Sequence, residues 1–380
     1  MILKNGVFLN DGFRFEKGDV SFSENGIEKL GDCGNDGEVY DCTDRYIVPG
    51  FVDIHTHGCV GVDASDGACV EEYEKMLCHY AAHGVTTVLP STETLSPEKT
   101  MRAVKALAKA AHSDIKGANI GGIHLEGPYF SYRYRDAQNE AHLRNPDIDE
   151  VNRLNEACGY IIRRISVAPE LPGALEFIRA LSKNISISLA HTDGNYEQAI
   201  AAIDAGADGL THTFNGMRSL HHREPNVVGA GLERQLFCEF IGDGFHISPT
   251  VLRLSFRMLG DTHMLFISDS LRACGMPDGK YDIGELPFIV KDGHARLPDG
   301  TIAGSTVTVH DCAVNAISFG LPPESVFRMC SQTPARAVRI DSLCGSITPG
   351  KRADLVILKK DYSIDRVILR GKFFDNEEGK

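Results

Sequence analysis

Short apolar runs recur through the middle of the chain, separated by stretches with a different periodicity. We find eight such runs between residues 50 and 270: GFVDIHTHG, GVTTVLPST, NIGGIHLEGP, YIIRRISVAPE, ISISLAHT, GLTHTF, LFCEFIGDG and HMLFISDS. Near-continuous apolar strands are typical of a parallel sheet that is covered on both faces. The pattern therefore predicts eight buried strands.

Segments with helical periodicity lie between these runs, for example residues 69–84, 96–112 and 195–207. Strands that alternate with helices predict an α/β protein with a parallel sheet. Eight units fit a (β/α)8 TIM barrel, in which the active site lies at the C-terminal ends of the strands. A doubly wound open sheet is the alternative, but no G-x-G-x-x-G turn follows the first run.

The two ends of the chain have a different character from the middle. The first fifty residues alternate in polarity and contain Asn-Gly and Asp-Gly hairpin signals, and the last forty residues repeat this style. We expect one small β-sandwich domain made from residues 1–50 and 343–380, flanking a catalytic barrel at 51–342. Two independent edge hairpins are the alternative.

Composition narrows the range of functions. Charged residues make up 24% and hydrophobic residues 42% of the 380 positions, which is typical of a globular protein. The net charge of −13 argues against nucleic acid or an anionic membrane as a partner. We find no run of 18 apolar residues and no secretory signal. Eleven scattered cysteines without a C-x-x-C pair favour reduced thiols and a cytoplasmic location.

Polar residues end several of the predicted strands. The first run ends in His55 and His57, whose i, i+2 spacing places both imidazoles on one side of a strand. Each residue alone has an ordinary explanation, such as a loop hydrogen bond or a helix cap. Together they predict an open catalytic site for Zn²⁺ or Fe²⁺, because nitrogen and carboxylate donors without thiolates suit these ions. The other members of the group are Glu126, His191, His212 and Asp269.

Longer segments carry a family resemblance: PGFVDIHTHG, GVTTVLPST, GIHLEGPYF, VAPE, LAHTDGN, THTFNGMRSLHHREP, GDGFH, ISDS, AGST at 303–306 and GSITPGKRADLVIL. With these, the chain resembles the amidohydrolase superfamily and, within it, the N-acetylglucosamine-6-phosphate deacetylases. The resemblance implies a metal-dependent barrel with a β-sandwich made from the chain ends. It also implies hydrolysis of N-acetyl-D-glucosamine 6-phosphate to D-glucosamine 6-phosphate and acetate, a step of amino-sugar catabolism.

The resemblance implies roles for the strand-end residues. Glu126, His191 and His212 would hold the main metal ion, and Asp269 would be the catalytic acid and base. His55 and His57 match the branch of the family that keeps H-x-H and can bind a second ion. We therefore expect one or two divalent transition-metal ions per chain.

The resemblance also implies contacts to the sugar phosphate. The backbone amides at Asn215 and Gly216, the guanidinium of Arg223 and the imidazole of His246 would bind the substrate. In the family, the arginine typically reaches into the neighbouring subunit's site, so we expect a homodimer. From the residues alone, Arg223 could equally form a solvent-exposed ion pair with the adjacent Glu224, which would contribute little.

Two residues depart from the family pattern, and one segment has two alternative interpretations. Gln138 stands where a substrate-polarising histidine is common, and a neutral amide provides only a neutral hydrogen bond. Gly216 stands where alanine is common. The aromatic and basic stretch 129–135 is either a lid over the sugar or a solvated loop.

Other activities compete with this interpretation. A deacetylase for a related N-acetylhexosamine 6-phosphate, such as the galactosamine epimer, is the nearest one. A cyclic amidase of the dihydroorotase type usually has a carboxylated lysine on the fourth strand, and YIIRRISVAPE contains no lysine. A non-catalytic sugar-phosphate sensor would be expected to have lost ligands or the base.

Overall fold

The computed structural model describes residues 1–375. The strands are, in chain order, β1 (Ile2–Leu9), β2 (Phe15–Ser23), β3 (Gly26–Gly31), β4 (Val39–Asp41), β5 (Tyr46–Pro49), β6 (Phe51–Thr56), β7 (Gly58–Cys59), β8 (Val62–Asp63), β9 (Val85–Thr92), β10 (Asn119–Ile120), β11 (Ile123–Glu126), β12 (Ile162–Val167), β13 (Ser186–Leu189), β14 (Gly209–Leu210), β15 (Phe237–Ile241), β16 (Met264–Ile267), β17 (Gly279–Ile283), β18 (Leu286–Lys291), β19 (His294–Arg296), β20 (Leu355–Leu358), β21 (Ile364–Leu369) and β22 (Lys372–Phe373).

The α-helices are α1 (Val70–Ala82), α2 (Pro97–Ala111), α3 (Ile148–Ala157), α4 (Ala174–Leu181), α5 (Tyr196–Ala205), α6 (Asn226–Glu233), α7 (Pro249–His263), α8 (Val309–Ser318), α9 (Pro323–Met329) and α10 (Gln332–Ala337). Short 3₁₀ turns occur at Ala64–Asp66, Tyr132–Tyr134 and Glu140–His142. Within residues 1–375, the helices are too short or too polar to cross a bilayer.

The middle of the chain forms a parallel barrel. Its strands pair in the order β6, β9, β11, β12, β13, β14, β15 and β16, and the short β10 also pairs with β9. The barrel closes where the backbone N–H of Asp269 donates to the carbonyl of His55 at 3.0 Å. Each of the eight apolar runs contains one barrel strand, so the predicted α/β barrel is confirmed.

The helices between the strands begin at residues that can cap them. The Ser96 hydroxyl accepts from the backbone N–H of Lys99 at the start of α2, where Pro97 occupies the first turn. The Asn195 side chain accepts from Gln198 N–H at the start of α5. The helices predicted within 69–84, 96–112 and 195–207 are therefore present, with their apolar faces packed on the barrel.

Both ends of the chain contribute to a second sheet. Its strands run in the order β22, β21, β20, β5, β1, β2 and β3, with β4 paired to β1. The two ends meet where β5 pairs antiparallel with β20, Val48 opposite Val356. Leu3, Phe22 and Leu355 pack in one buried cluster beneath it, so the end strands are not separate hairpins. The domain boundaries at residues 50 and 342 stay predictions.

A third, antiparallel sheet of β17, β18 and β19 lies beside the barrel mouth. Its turns have positive φ at both central residues: 51° and 75° at Gly284 and Glu285, and 52° and 76° at Asp292 and Gly293. This conformation is that of a type I′ hairpin turn. We did not predict this sheet, although Asp292-Gly293 is a hairpin signal.

Candidate active site

The polar strand ends meet at the mouth of the barrel. His55 lies in β6, and Glu126 is the last residue of β11. His191, His212 and Asp269 each follow the end of a strand by two residues, and their φ angles are 42°, 29° and 49°. Non-glycine residues at such angles cost about 1–3 kcal/mol each and cluster at functional sites. The parallel strands therefore bring together residues that are up to 214 positions apart in sequence.

Glu126, His191 and His212 form one group of possible metal ligands. The Oε1 atom of Glu126 lies 3.1 Å from Nε2 of His212 and 3.4 Å from Nε2 of His191. The two Nε2 atoms are 3.1 Å apart. All three side chains are buried. A carboxylate and two imidazole nitrogens that face one point match the donors of an open zinc site.

His55, His57 and Glu126 form a second group. The Nε2 atoms of the two histidines are 3.3 Å apart, and each lies 3.4 Å from an oxygen of Glu126. Asp269 Oδ1 lies 3.4 Å from Nε2 of His55 and 3.3 Å from Nε2 of His57. In each group one ligand atom per residue lies within 4.8 Å of the others. Glu126 thus belongs to both groups, and Asp269 borders the second.

Each of the four imidazoles has its other nitrogen, Nδ1, engaged. Nδ1 of His191 faces the carbonyl of Tyr134 at 2.9 Å, and Nδ1 of His212 faces the carbonyl of Asn215 at 3.1 Å. Nδ1 of His55 faces the carboxylate of Glu239 at 3.0 Å. Nδ1 of His57 lies near the Ser91 carbonyl at 3.2 Å and the Glu93 carboxylate at 2.8 Å. These contacts leave all four Nε2 atoms directed at the centre of the site.

Burial and charge act against each other at this centre. Burial raises the pKa of the Glu126 carboxyl, but the surrounding imidazoles hold that pKa well below its usual range. Burial lowers the pKa of His55, whereas Glu126 and Asp269 raise it to about 10. Negative charge is therefore concentrated around nitrogen donors, which is what a divalent cation requires.

A cavity opens above this centre. Gln138 lines it, but its amide nitrogen donates to Glu126 Oε2 at 2.6 Å and its amide oxygen accepts from Thr94 N–H at 2.8 Å. Both ends of the Gln138 amide are thus engaged, and Gln138 orients Glu126. Asp136 also lines the cavity, together with nonpolar residues that include Ile283 of β17: Ala137, Leu271, Ile283, Ile302 and Gly304.

The residues expected to bind the sugar phosphate fall into two sets. Asn215 and His246 line the cavity, and Gly216 packs so closely that a Cβ there would lie 2.8 Å from Nδ1 of His191. His246 is held by Asp243, with 2.6 Å between Nδ1 and Oδ2. Arg223 is exposed on a loop and contacts the His222 ring at 2.8 Å. Within one chain, Arg223 is not among the residues that line the cavity.

The stretch 129–135 divides into a buried and an exposed part. Tyr129 and Phe130 are buried, and the Phe130 ring centroid lies 4.5 Å from that of His191. Tyr132 is exposed, and the Arg135 guanidinium lies 4.3 Å from its ring centroid. Phe130 and the Tyr134 carbonyl therefore both contact His191. Arg133 pairs instead with Asp193, and Arg135 with Glu140.

We did not predict two of the carboxylates at the site. Glu93 and Glu239 lie in or directly after barrel strands, within apolar surroundings, and both are buried. Glu93 directly follows a barrel strand, which is the same signal that pointed to Glu126, whereas Glu239 lies in the middle of β15. Glu239 also pairs with the fully buried Arg164, whose Nη2 lies 2.7 Å from Oε1.

Comparisons with known proteins agree on one family. The model of the amidohydrolase family matches residues 46–374. The N-acetylglucosamine-6-phosphate deacetylase of Vibrio furnissii is 37% identical over 329 residues, which are 86% of this chain and 82% of that protein. The N-acetylgalactosamine-6-phosphate deacetylase of Escherichia coli O157:H7 is 36% identical over 329 residues, which are 86% of this chain and 87% of that protein.

A solved structure agrees over almost the whole length. It is an N-acetyl-D-glucosamine-6-phosphate deacetylase mutant from Mycobacterium smegmatis in complex with N-acetyl-D-glucosamine-6-phosphate. It is 32% identical in sequence, covers 99% of each chain and has a TM-score of 0.92. The barrel and the end-to-end sheet are therefore shared with it.

Proposed function

The chain belongs to the amidohydrolase family, and we propose that it hydrolyses the acetamide of N-acetyl-D-glucosamine 6-phosphate to D-glucosamine 6-phosphate and acetate. The observation that carries the proposal is the pair of His–Glu groups that share Glu126, with Asp269 beside them. The relatives named as deacetylases of sugar phosphates support the substrate class.

In this proposal, Glu126, His191 and His212 hold a divalent transition-metal ion, either Zn²⁺ or Fe²⁺. Such an ion, when bound, lowers the pKa of water towards neutrality and polarises a carbonyl. His55 and His57, together with Glu126, are placed to hold a second ion. One or two ions per chain therefore fit the donors at the barrel mouth.

Asp269 would move the proton. Its carboxylate borders the group of His55, His57 and Glu126, and the nearby imidazoles hold its pKa below the usual value despite burial. It is therefore ionised near neutral pH and able to take a proton from the attacking water. The same carboxyl group then delivers that proton to the departing amine, as general acid and base.

The opposite end of the substrate needs phosphate contacts. The Asn215 N–H donates to the His212 carbonyl at 2.9 Å. The Gly216 N–H and His246, with Asn215 lining the cavity beside them, would therefore bind the sugar phosphate. Arg223 would act from the neighbouring subunit of a homodimer, because it lies outside the cavity of its own chain. A planar guanidinium matches phosphate oxygens in geometry and charge.

The galactosamine epimer is a second candidate substrate, because the Escherichia coli relative is named for it. The two sugars differ at the 4-hydroxyl, so the contacts of that hydroxyl decide between them. We also propose a cytoplasmic location, on the grounds that all eleven cysteines are free thiols.

Acetate release tests the function. The purified chain is assayed with N-acetylglucosamine and N-acetylgalactosamine, each with and without a 6-phosphate, after metal analysis. We expect the highest kcat/KM for N-acetylglucosamine 6-phosphate and loss of turnover on chelation. Turnover by a verified metal-free sample would refute the mechanism, and preference for the epimer would move the substrate to galactosamine.

A further inference from the structure

The Glu93 carboxylate is buried directly after strand β9. The side chain is 1% exposed, and Oε1 lies 2.8 Å from Nδ1 of His57. Within residues 1–375, neither oxygen of the Glu93 carboxylate accepts a well-aligned hydrogen bond. A buried carboxylate without good partners costs several kcal/mol. The charged-group contact of the Glu93 carboxylate is therefore the one with the His57 ring.

The four histidines differ in what their Nδ1 atoms face. Those of His191 and His212 face neutral backbone carbonyls. Nδ1 of His55 faces the carboxylate of Glu239. Nδ1 of His57 lies 3.2 Å from the Ser91 carbonyl and, in addition, 2.8 Å from the Glu93 carboxylate. A carboxylate on the outer nitrogen fixes the tautomer and ring orientation and makes the inner nitrogen a stronger donor. The two groups of ligands are thus supported unequally, and the H-x-H group has the stronger support.

Glu239 contacts an arginine as well as a histidine, whereas the ion pair of Glu93 within residues 1–375 is with His57. Glu239 pairs through its other oxygen with the guanidinium of Arg164. The neighbour of Glu93 is another buried acid, Asp63, and the nearby Arg272 pairs with Asp63 at 3.5 Å. Glu93 therefore lies against the His57 ring without the direct arginine contact that Glu239 has, within residues 1–375.

We propose that Glu93 is a positioning residue for a second metal ion: it holds His57 with the Nε2 lone pair directed at the centre and strengthens that donor. The ion held by His55, His57 and Glu126 is consequently retained more tightly than the two histidines alone would allow. The inference rests on the metal site of the proposed function, but it requires no particular substrate.

Metal titration of the full-length chain tests this role. Chelator-treated protein is titrated with Zn²⁺ against a competing chromogenic chelator, which yields the number of sites and the Kd of each. The variants are E93Q, which keeps an acceptor oxygen, E93M, which removes it, and H57N, which removes the ligand itself. E150Q is the matched control, because Glu150 is also buried but contacts Arg144 and Tyr129 instead of a metal ligand.

We expect two sites in the wild type and about a 10- to 100-fold weaker second site in the Glu93 variants, with E93M weaker than E93Q. The first site should stay within twofold of wild type in both, and E150Q should leave both sites unchanged. With Co²⁺ as the probe, the absorption of the second equivalent should weaken in the same order.

Three results would overturn the role. These are a second site within twofold of wild type in both Glu93 variants, equal weakening of both sites, or a single site in the wild type. If E93M does not fold, E93Q alone decides. Because the titration contains no sugar, a failure to release acetate would refute the proposed function without touching this result.

Discussion

Each imidazole at the barrel mouth has one nitrogen held from outside and the other free to bind. A histidine ring that is free to rotate would present either nitrogen, or a proton, to an ion. Here the geometry of the strand ends selects Nε2 in all four cases. The strained φ angles of His191, His212 and Asp269 are the conformational cost of aiming these side chains inward.

Asp269 should be needed for turnover and dispensable for metal binding. Asp269→Asn preserves the shape of the side chain but removes the group that carries the proton. We expect kcat to fall by about 10²- to 10⁴-fold, with metal content unchanged because Glu126, His191 and His212 are intact. Steady-state kinetics and elemental analysis measure the two effects. A kcat within tenfold of wild type would exclude Asp269 as the proton carrier.

His79 should make the folded state less stable at acidic pH. Burial, together with the adjacent His83 ring at 4.3 Å, lowers its pKa to about 4, and Asp311 offsets only part of this. Between pH 6.5 and 4 the unfolded chain therefore binds a proton that the folded chain does not. Stability is fully present above pH 6.5 and falls as the pH drops towards 4.

The loss assigned to His79 is about 1–2 kcal/mol, after a discount for its partial exposure. Urea unfolding at pH 6.5, 5.5 and 4.5 measures it. The pH dependence should be flatter in His79→Gln than in wild type, whereas His221→Gln, in an exposed loop, should resemble wild type. Equal slopes in wild type and His79→Gln would contradict the prediction.

At the scale of elements, the barrel strands were predictable and the sheet beside the mouth was not. Strand β16 is a continuous apolar run because both of its faces are buried. Strand β11 is also fully buried, and its polar residues are the buried His124 and Glu126. In β17 and β18, exposed and buried residues alternate, and the alternation is short and mixed with charge. Only the Asp292-Gly293 turn was a local signal for it.

The same distinction applies to the site residues. His55 and His57 are visible in sequence because their spacing matches the strand period. The role of Gln138 depends on where the loop from 131 to 142 folds, which no local pattern encodes. Its contacts with Glu126 and Thr94 appear only once the loop has closed over the barrel mouth.

Gln138 should stabilise Glu126 as a ligand. Gln138→Ala removes a hydrogen bond to a charged group, which is worth about 1.5–3 kcal/mol, so metal should be lost faster on dialysis and kcat should fall. Gln138→Glu sets a second carboxylate against Glu126 and should be the more harmful change at neutral pH. Metal retention and kcat are measured together. Equal metal retention in both variants and wild type would show that Gln138 does not support Glu126.

At the scale of the whole molecule, an acidic protein has to bind an anionic substrate. The net charge of −13 repels a sugar phosphate at long range, so local cations must offset it at the mouth. Arg133 and Arg218 both pair with Asp193, at 3.4 Å and 2.5 Å. Arg223, in contrast, contacts the His222 ring and is exposed on its loop. A second subunit that brings Arg223 to the mouth would supply the missing charge.

Mixing an impaired and an inactive variant should therefore restore activity on the phosphorylated substrate if Arg223 acts across a dimer. Arg223→Ala should lower kcat/KM for the phosphorylated substrate by about 2–5 kcal/mol, the range for removing one partner of a desolvated charge pair, and Asp269→Asn should abolish turnover. In a mixed dimer, the subunit with an intact Asp269 receives Arg223 from its partner. After random exchange of equal amounts, about one quarter of all sites would be complete. If Arg223 acts within its own chain, no site in the mixture is complete and turnover does not recover.

Unphosphorylated N-acetylglucosamine, which has no charge for Arg223 to bind, should be hydrolysed equally by Arg223→Ala and wild type. Equal losses on both substrates would remove Arg223 from the phosphate site.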